Sequence, residues 1–189
     1  MEVCGEASNA AEALQQIGHL APDVVLTDIS MAGMNGVEFL KHLKARNPML
    51  PAVVLSMHDE ALYAERALRA GALGFVMKKA PGDEMLTALR KARRGEYHVS
   101  EKVGAGIFQK FLHTKSESKS PMALLSDREL EVFELLGGGC GSKQIAAELH
   151  LSVKTVDTHR MHIKEKLGVH TATELVQHAV HHVENELEC

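Results

Sequence analysis

The 189-residue chain has few cysteines, no tryptophan and no long apolar run. Its three cysteines, Cys4, Cys140 and Cys189, are scattered, so they match neither a disulfide framework nor the ligand spacing of a zinc site. No run approaches the length of a membrane span, and the N-terminus lacks the basic-then-apolar pattern of a signal peptide. These absences argue against a disulfide-stapled secreted protein and a membrane protein, and they predict a soluble protein of a reducing cytoplasm.

The net charge of −4 conceals a difference between the two parts of the chain. Residues 1–120 contain 15 Lys/Arg and 14 Asp/Glu, whereas residues 121–189 contain 6 Lys/Arg and 11 Asp/Glu. Taken alone, an acidic second part argues against nucleic-acid binding. The local pattern of charge has to be weighed against this total.

Strand-like and helical segments alternate through the first part of the chain. The pattern predicts strands at residues 2–7, 23–27, 52–56 and 74–77. It predicts helices at residues 9–20, 36–46, 59–70, 82–94 and 100–112. Near-continuous apolar strands between amphipathic helices indicate an α/β fold with a parallel sheet that is covered on both faces.

The second part reads as helical throughout. The polar segment "HTKSESKSP" (113–121) has the composition of an interdomain linker. Capping boxes of the form Ser/Thr-x-x-Glu mark two helix starts, Ser126 with Glu129 and Thr171 with Glu174. Between them the pattern predicts helices at 142–149 and 153–167, which are joined by a tight turn at 150–152. Gly168 ends the second of these helices, and a last helix is predicted at 171–183. This is the layout of a small all-α helix-turn-helix domain.

Three polar residues follow predicted strands: Asp28, Ser56 and Lys78. The carboxyl ends of parallel strands meet at one edge of a sheet, where ligands bind. An aspartate there can act as a nucleophile toward phosphorus, and a hydroxyl and an ammonium group can hold phosphoryl oxygens. A lone aspartate at a strand end is more often a helix cap, but the three residues together favour a phosphoryl site.

These segments resemble the receiver domains of bacterial response regulators, through "DISMAGMNGVEFL", "VVLSMHDE" and "RALRAGALGFVMKKAPGDEMLTAL". The resemblance implies an incomplete flavodoxin-like receiver in which Asp28 is the phosphoacceptor. Ser56 and Phe75 would be the switch pair, and Lys78 would bind the phosphate. Asp28 and the Ser30 carbonyl would be ligands of Mg²⁺. Two positions depart from the family pattern, Ala32 for proline and Lys79 for an acidic residue or proline.

The acidic pair that provides most of the Mg²⁺ ligands in receivers has no match in this chain. The segment "MEVCGEA" resembles the second strand of the family, so the first strand and helix are missing. In the family's sheet order, 2-1-3-4-5, that strand lies between the second and third, so we expect unpaired edges there. We therefore expect the chain as written to be phosphorylated poorly and to bind Mg²⁺ weakly or not at all. An incomplete sequence explains this better than a naturally truncated regulator.

The second part resembles the LuxR-type helix-turn-helix over "LSDRELEVFELLGGGCGSKQIAAELHLSVKTVDTHRMHIKEKLGV". Together with the receiver segments, this resemblance points to the NarL/FixJ class of response regulators. It implies base contacts from Asp157, Thr158 and Met161, where many relatives have lysine at the position of Asp157. We expect phosphate contacts from three basic residues, Lys143, Lys154 and Arg160.

The resemblance also implies a dimer contact on the last helix through Leu175, Val176 and Ala179. The same apolar stripe would cover the core of a small domain, and both uses are expected to coexist. The local charge over 154–166 is only +2. We therefore expect weak DNA binding by the monomer and a dependence on dimerisation.

Two other interpretations, a metal site and an enzyme, are less well supported by the sequence. His178 and His182 are four residues apart, but no second ligand pair accompanies them, so they are interpreted as surface histidines. An aspartate-based phosphatase or dehalogenase needs a second acid two residues after the nucleophile, where this chain has Ser30. The chain is therefore not expected to be an enzyme.

The combined interpretation has three regions: a truncated receiver at 1–97, a linker helix and flexible linker at 98–122, and a LuxR-type DNA-binding domain at 123–189. The expected function is that of a DNA-binding transcriptional regulator, controlled in its complete form by phosphorylation of Asp28. Its expected partners are double-stranded DNA, a sensor histidine kinase and a second copy of the chain, with no membrane. The alternative is a phosphorylation-independent regulator in which residues 1–97 act as an interaction module.

Overall fold

The computed structural model describes residues 1–58, 60–112 and 121–187, and the chain divides into two compact units, Met1–Ser116 and Glu117–Cys189. Residues 113–120, which make up most of the polar segment 113–121, lie outside the described residues. Asp59, at the predicted start of one helix, lies outside them too. Within the described residues, no helix is both long and apolar enough to span a membrane.

Helices and strands alternate in the first unit, as the sequence predicts. The elements are α1 (Ala10–Leu20), β1 (Val25–Asp28), α2 (Gly36–Arg46), β2 (Ala52–Ser56), α3 (Glu60–Arg69), β3 (Gly74–Met77), α4 (Gly82–Arg93) and α5 (Glu101–Leu112). Asn9 caps α1 by accepting a hydrogen bond from the Glu12 amide at 3.0 Å. Each predicted helix of this part is present, and no end differs from its prediction by more than one residue.

The sheet of the described residues has three parallel strands in the order β1-β2-β3. Val25 lies opposite Ala52, and Val53 lies opposite Gly74. Parallel strands need helices on their faces, and α4 packs Ala88, Leu89 and Ala92 against Val53 and Val76. The predicted fold class, an α/β receiver-like unit with a parallel sheet, is confirmed.

The strand that the sequence predicts at residues 2–7 is not formed. Residues 1–7 have no regular structure, and Val3 is 76% exposed. A strand requires a neighbouring backbone, and here the segment's carbonyl at Glu6 accepts from the Gln16 side chain at 2.7 Å instead. An isolated β-bridge between Asn9 and Ala32 joins the start of α1 to the loop after β1. β1 is consequently an edge strand, with Leu26 39% exposed.

The second unit is helical, as predicted. It contains a 3₁₀ turn (Pro121–Leu124) followed by α6 (Asp127–Gly137), α7 (Ser142–Glu148), α8 (Val153–Leu167) and α9 (Ala172–Leu187). The capping box at α6 is formed by Ser126 and Glu129. Gly168 ends α8 in the left-handed conformation, with φ of 67°, which glycine adopts without steric cost. The last helix is four residues longer than the predicted 171–183 at its C-terminal end.

The core of the second unit is built from the apolar stripes of its four helices. Its fully buried members include Leu130, Phe133, Ile145, Val156, Ile163 and Leu175. A buried ion pair accompanies them, because Arg128 Nη1 lies 2.6 Å from Glu131 Oε2. Arg128 also donates to the carbonyl of Leu149 at 3.2 Å, and Leu149 ends α7. The pair thereby ties α6 to the turn that joins α7 and α8.

Candidate phosphoryl site and nucleic-acid interface

The three polar residues that follow the strands lie together at the carboxyl end of the sheet. Asp28 ends β1, Ser56 ends β2, and Lys78 comes directly after β3. The ammonium group of Lys78 forms an ion pair with Asp28 Oδ2, and the Lys78 amide donates to the Ser56 carbonyl at 2.7 Å. The parallel register of the strands thus brings Asp28, Ser56 and Lys78 together, as the sequence predicts.

The loop after β1 folds back onto the end of its own strand. The Gly36 amide donates to the Ile29 carbonyl at 2.8 Å, and the buried Asn35 side chain caps α2 by accepting from the Glu38 amide at 2.9 Å. A Cβ atom on Gly36 would lie 2.0 Å from the Asp28 carbonyl oxygen, so only glycine fits there. This close approach packs the start of α2 against the backbone of Asp28 at the end of β1.

Asp28 is partly exposed, and its carboxylate has two partners within the chain. Its side chain is 28% exposed, while that of Lys78 is 36% exposed. Oδ2 pairs with Lys78, and Oδ1 accepts from the Ser30 amide at 3.3 Å. The carboxylate is reachable from solvent and neutralised by an adjacent cation, an arrangement that suits an acceptor of a phosphoryl group.

His58 also lies at this site, although it was not among the site residues predicted from the sequence. Its amide donates to Ser56 Oγ at 3.0 Å, and its Nε2 lies 2.6 Å from Ser30 Oγ. The imidazole packs on Tyr63, with ring centroids 4.8 Å apart. The sequence signal that could have identified His58 is its position two residues after Ser56, the hydroxyl at the end of β2.

The two residues expected to form a switch pair are both buried. Ser56 is fully buried at the end of β2, and Phe75 is buried in β3 opposite Val54. The Phe75 amide donates to the His98 carbonyl at 2.9 Å, so β3 is covered on its outer edge by the chain after α4.

The side chains at the sheet end do not fit a Mg²⁺ ion. Mg²⁺ prefers octahedral oxygen coordination that includes carboxylates. Both oxygens of Asp28 have partners in the chain, Lys78 and the Ser30 amide. Across the part of the chain that the structure describes, no group of three or more His, Cys, Asp or Glu side chains could hold a metal ion.

Helices α7 and α8 form the helix-turn-helix of the second unit. Ser152 caps α8 by accepting from the Thr155 amide at 3.0 Å, and Val156 and Ile163 are fully buried beneath the helix. The opposite face is exposed. It carries the four residues Lys154, Asp157, Thr158 and Met161. Lys143 is exposed on α7.

A hydrogen-bonded chain of three side chains connects α7 to this exposed face. Ser142 Oγ donates to Asp157 Oδ1 at 2.8 Å, and Arg160 Nη1 donates to Ser142 Oγ at 2.6 Å. Two of these residues, Asp157 and Arg160, were assigned separately to bases and phosphates. Ser142 was not identified from the sequence, because only the fold places residues 15 and 18 positions apart in contact.

The other end of α8 is held by a buried carboxylate. Glu129 is 5% exposed; its Oε2 accepts from Lys166 at 2.5 Å, and His162 Nδ1 lies 3.8 Å from its Oε1. Burial raises the pKa of the Glu129 carboxyl, but the hydrogen bonds from Lys166 and Ser126 outweigh it and lower that pKa below its ordinary value.

The three α9 residues expected at a dimer contact differ in burial. Leu175 and Ala179 are fully buried within the unit, and Val176 is half-buried. A Cβ atom on Gly137 of α6 would lie 2.4 Å from the Ala179 carbonyl oxygen, which shows how closely α6 and α9 pack. Of the histidines considered as metal ligands, His178 is exposed, whereas His182 packs on Phe133 with ring centroids 5.7 Å apart.

Comparison with known proteins tests the family expectation. A family model of the response regulator receiver domain matches residues 1–90, and a model of the bacterial regulatory proteins of the luxR family matches residues 123–179. The chain is 36% identical over 185 residues to the oxygen regulatory protein NreC of Staphylococcus aureus, covering 95% of this chain and 85% of the relative. The chain belongs to the NarL/FixJ family of response regulators. It is a DNA-binding two-component response regulator, for whose receiver domain phosphorylation control is expected.

Solved structures of response regulators are similar to more than nine-tenths of the chain. The RcsB response regulator of Salmonella typhimurium is 26% identical, with a TM-score of 0.51 and coverage of 94% of this chain and 84% of that one. A structure of two RcsB dimers bound to two parallel DNAs is also 26% identical, with a TM-score of 0.51 and coverage of 93% and 83%. These similarities agree with a receiver unit followed by a helix-turn-helix.

Proposed function

We propose that this response regulator controls transcription as a homodimer on double-stranded DNA and receives a phosphoryl group on Asp28 from a sensor histidine kinase. The observation that carries the phosphoryl assignment is the ion pair of Asp28 with Lys78 at the sheet end where Ser56 closes β2. The proposed regions are 1–97 for the receiver, 98–122 for the linker and 123–189 for DNA binding. We also propose that the protein is cytoplasmic and has no enzymatic activity of its own.

The chemistry at Asp28 is nucleophilic. A carboxylate oxygen of Asp28 forms the bond to phosphorus as the bond between phosphorus and the kinase histidine breaks. Lys78 then moves its charge from the carboxylate to a phosphoryl oxygen, because the phosphoryl group carries the larger negative charge. The Ser56 hydroxyl accepts from the His58 amide at 3.0 Å, and its own proton remains for a phosphoryl oxygen.

Buried Ser56 and Phe75 are the proposed route from this event to the rest of the unit. A movement of Ser56 toward the phosphoryl group opens space at the end of β2, and the neighbouring strand β3 carries Phe75. Packed cores respond to such a change by switching between discrete arrangements. Receiver domains typically bind Mg²⁺. By the sequence resemblance, Asp28 and the Ser30 carbonyl would be its ligands; because the side chains at this sheet end do not fit the ion, no step is assigned to it.

A second candidate follows from the same geometry. Both Asp28 oxygens are engaged within the chain, by Lys78 and the Ser30 amide. Such a carboxylate is stabilised without a phosphoryl group. In this alternative the first unit acts as a phosphorylation-independent interaction module for the DNA-binding unit.

Acetyl phosphate labelling, read by intact mass, separates the two candidates. The full chain is incubated with acetyl phosphate, with and without millimolar Mg²⁺, beside the Asp28→Asn variant. A mass increase of one phosphoryl group that Asp28→Asn abolishes supports phosphorylation of Asp28. No increase in either condition, with DNA binding intact, supports the interaction module. An equal increase in Asp28→Asn contradicts the assignment of Asp28.

The exposed face of α8 is the proposed DNA-reading surface. It carries Asp157, Thr158 and Met161 for base edges, the first two in the N-terminal half of α8, because recognition helices use their N-terminal residues in the major groove. Three basic residues, Lys143, Lys154 and Arg160, are proposed to contact phosphates and to set the register. RcsB dimers bind DNA in a structure similar to this chain, which supports the dimeric mode proposed here.

The proposed dimer contact lies on α9. Leu175 and Ala179 are committed to the core of the unit, so their part in a dimer would be to hold α9 in place. Val176 is half-buried and lies beside the solvent-exposed face of α9. The exposed residues Gln177 and His181 lie on that face and would meet their counterparts across a two-fold axis.

A further inference from the structure

An aspartate on the DNA-reading face of α8 is held by a serine from α7. Asp157 is exposed and accepts from Ser142 Oγ at 2.8 Å through Oδ1. Ser142 in turn accepts from Arg160 Nη1 at 2.6 Å. The hydroxyl therefore stands between a guanidinium and a carboxylate, with its proton directed to the carboxylate.

The hydrogen bonds among Ser142, Asp157 and Arg160 reduce the electrostatic cost of placing a carboxylate beside DNA. A carboxylate that faces DNA is repelled by the phosphate backbone, and it gains nothing from counterion release. The Ser142 proton and the Arg160 charge behind it reduce that repulsion without covering the carboxylate, because they occupy only its Oδ1 side.

We propose that Ser142 is a specificity-determining positioning residue, which fixes Asp157 so that its Oδ2 accepts a hydrogen bond from the exocyclic amino group of a cytosine in the major groove. This inference rests on the proposed DNA-reading surface and extends it to a residue of α7. Ser142 itself acts through Asp157 and through Arg160.

Cytosine is the base that this carboxylate fits. In the major groove, guanine offers the acceptors N7 and O6, thymine offers the acceptor O4, and adenine places its N7 acceptor beside its amino donor. Guanine and thymine therefore repel an ionised carboxylate, and the adenine amino group lies between two acceptors, its own N7 and the O4 of the paired thymine. In its pair with guanine, the N4 amino donor of cytosine has one neighbouring acceptor, guanine O6, so a carboxylate meets the least repulsion there and one free carboxylate oxygen suffices.

The serine is needed because its two partners are neighbours on one helix. Asp157 and Arg160 are three residues apart on α8, a spacing at which an acidic and a basic side chain can pair directly. Without the Ser142 hydroxyl between them, the guanidinium is free to turn to the carboxylate and to withdraw it from the base. The expected cost of losing Ser142 is therefore a loss of discrimination rather than a loss of general affinity.

Selection from a library of randomised DNA duplexes tests the proposal at fixed, stated salt. The full chain is compared with Ser142→Ala, Ser142→Thr and Asp157→Asn, and Thr87→Ala on α4 of the first unit serves as the control for loss of an exposed hydroxyl. We expect the unmodified chain to select a cytosine at one position of each half-site. Ser142→Ala reduces that preference about two- to tenfold, which is what ordering one side chain contributes, and leaves the other positions unchanged. Ser142→Thr, which keeps the hydroxyl, and Thr87→Ala retain the preference.

Asp157→Asn gives a second, directional result. An amide both donates and accepts, which matches the adjacent amino group and N7 of adenine, so the selected base shifts from cytosine toward adenine. The proposal is overturned if Ser142→Ala keeps the cytosine preference, or if it weakens all positions equally. A chain that selects no sequence above the random library overturns the proposed DNA-reading function itself. Thermal unfolding of each variant shows whether the second unit remains folded, and an unfolded Ser142→Ala would assign the residue to stability instead.

Discussion

Lys166, in the last turn of α8, donates a 2.5 Å hydrogen bond to Glu129 in the first turn of α6. The same carboxylate oxygen accepts from the Ser126 amide at 2.7 Å, where it completes the capping box. One buried carboxylate therefore accepts from the amide before the first residue of α6 and also anchors the C-terminal end of α8. This relationship makes the stability of the second unit depend on the charge of Glu129.

The stability of the second unit should depend on pH through Glu129. Its pKa is lowered from the ordinary value of 4.5, because the hydrogen bonds from Lys166 and Ser126 outweigh the effect of burial. A carboxyl whose pKa is lower in the folded state binds fewer protons there than in the unfolded chain. Its contribution is fully present well above pH 4.5 and is lost as the pH falls through the lower, folded value. Hydrogen exchange of the α6 amides, measured in the full chain from neutral to acidic pH, checks this expectation.

Removing the cation that pairs with Glu129 should destabilise the same unit. We expect Lys166→Met to lower the free energy of unfolding by about 1 kcal/mol, since one partner of the pair is partly exposed and water screens the interaction. Lys164→Met removes an equal charge from the same helix and serves as the matched control. An equal effect of the two substitutions on α6 exchange would contradict a specific role for the pair.

Two glycines of the first unit should respond in opposite ways to alanine. At Gly36, a Cβ atom would lie 2.0 Å from the Asp28 carbonyl oxygen, so backbone must move. We expect Gly36→Ala to destabilise the unit by about 1–3 kcal/mol and to displace Asp28.

The matched control is Gly18, within α1. A Cβ atom there meets nothing within 4 Å, so Gly18→Ala should stabilise α1 by about 0.5–1 kcal/mol. Urea unfolding followed by circular dichroism measures both variants. Equal effects of the two substitutions would show that the contact between Gly36 and Asp28 is not tight.

The two sides of α9 should separate folding from dimerisation. Leu175 is fully buried, so Leu175→Ala should lower the free energy of unfolding by about 2–5 kcal/mol. Gln177 is exposed on the opposite side, and Gln177→Glu places like charges near each other across a two-fold contact.

We expect Gln177→Glu to weaken the dimer several-fold while the unfolding free energy of the monomer stays unchanged. Sedimentation velocity over a range of protein concentrations, with and without duplex DNA, measures the association. An unchanged dimer would place the contact on another surface.

The phosphate contact proposed for Lys154 has a characteristic salt signature. We expect Lys154→Ala to weaken binding by a similar factor for every DNA sequence and to reduce the slope of log affinity against log salt by about 1. Fluorescence anisotropy titrations at several salt concentrations give both quantities. A change confined to particular sequences would instead make Lys154 a base-reading residue.

Local sequence signals predicted most of the secondary structure. The capping residues Ser126 and Thr171, together with Gly168 at the end of α8, mark helix ends that the structure reproduces. Their signals are local because each cap bonds to an amide or a carbonyl only a few residues away. The exposed and buried faces of α8 also follow directly from its apolar spacing.

The failed prediction and the missed residues share one cause. Residues 2–7 have strand-like composition, but a strand depends on a partner from elsewhere in the chain, and none pairs with this segment in the described residues. His58 and Ser142 gain their roles from contacts with Ser30, Asp157 and Arg160, which are 28, 15 and 18 residues away. No local pattern encodes such a contact.

The sequence by itself determined the family, the alternation of elements and the three residue types at the sheet end, because strand period, helix period and motif spacing are read along the chain. The tertiary structure decided which of those groups touch. It paired Asp28 with Lys78, buried Leu175 and Ala179, and inserted Ser142 between Asp157 and Arg160. The physical reason is that hydrogen bonds and ion pairs form over about 3 Å, and only packing brings distant positions that close.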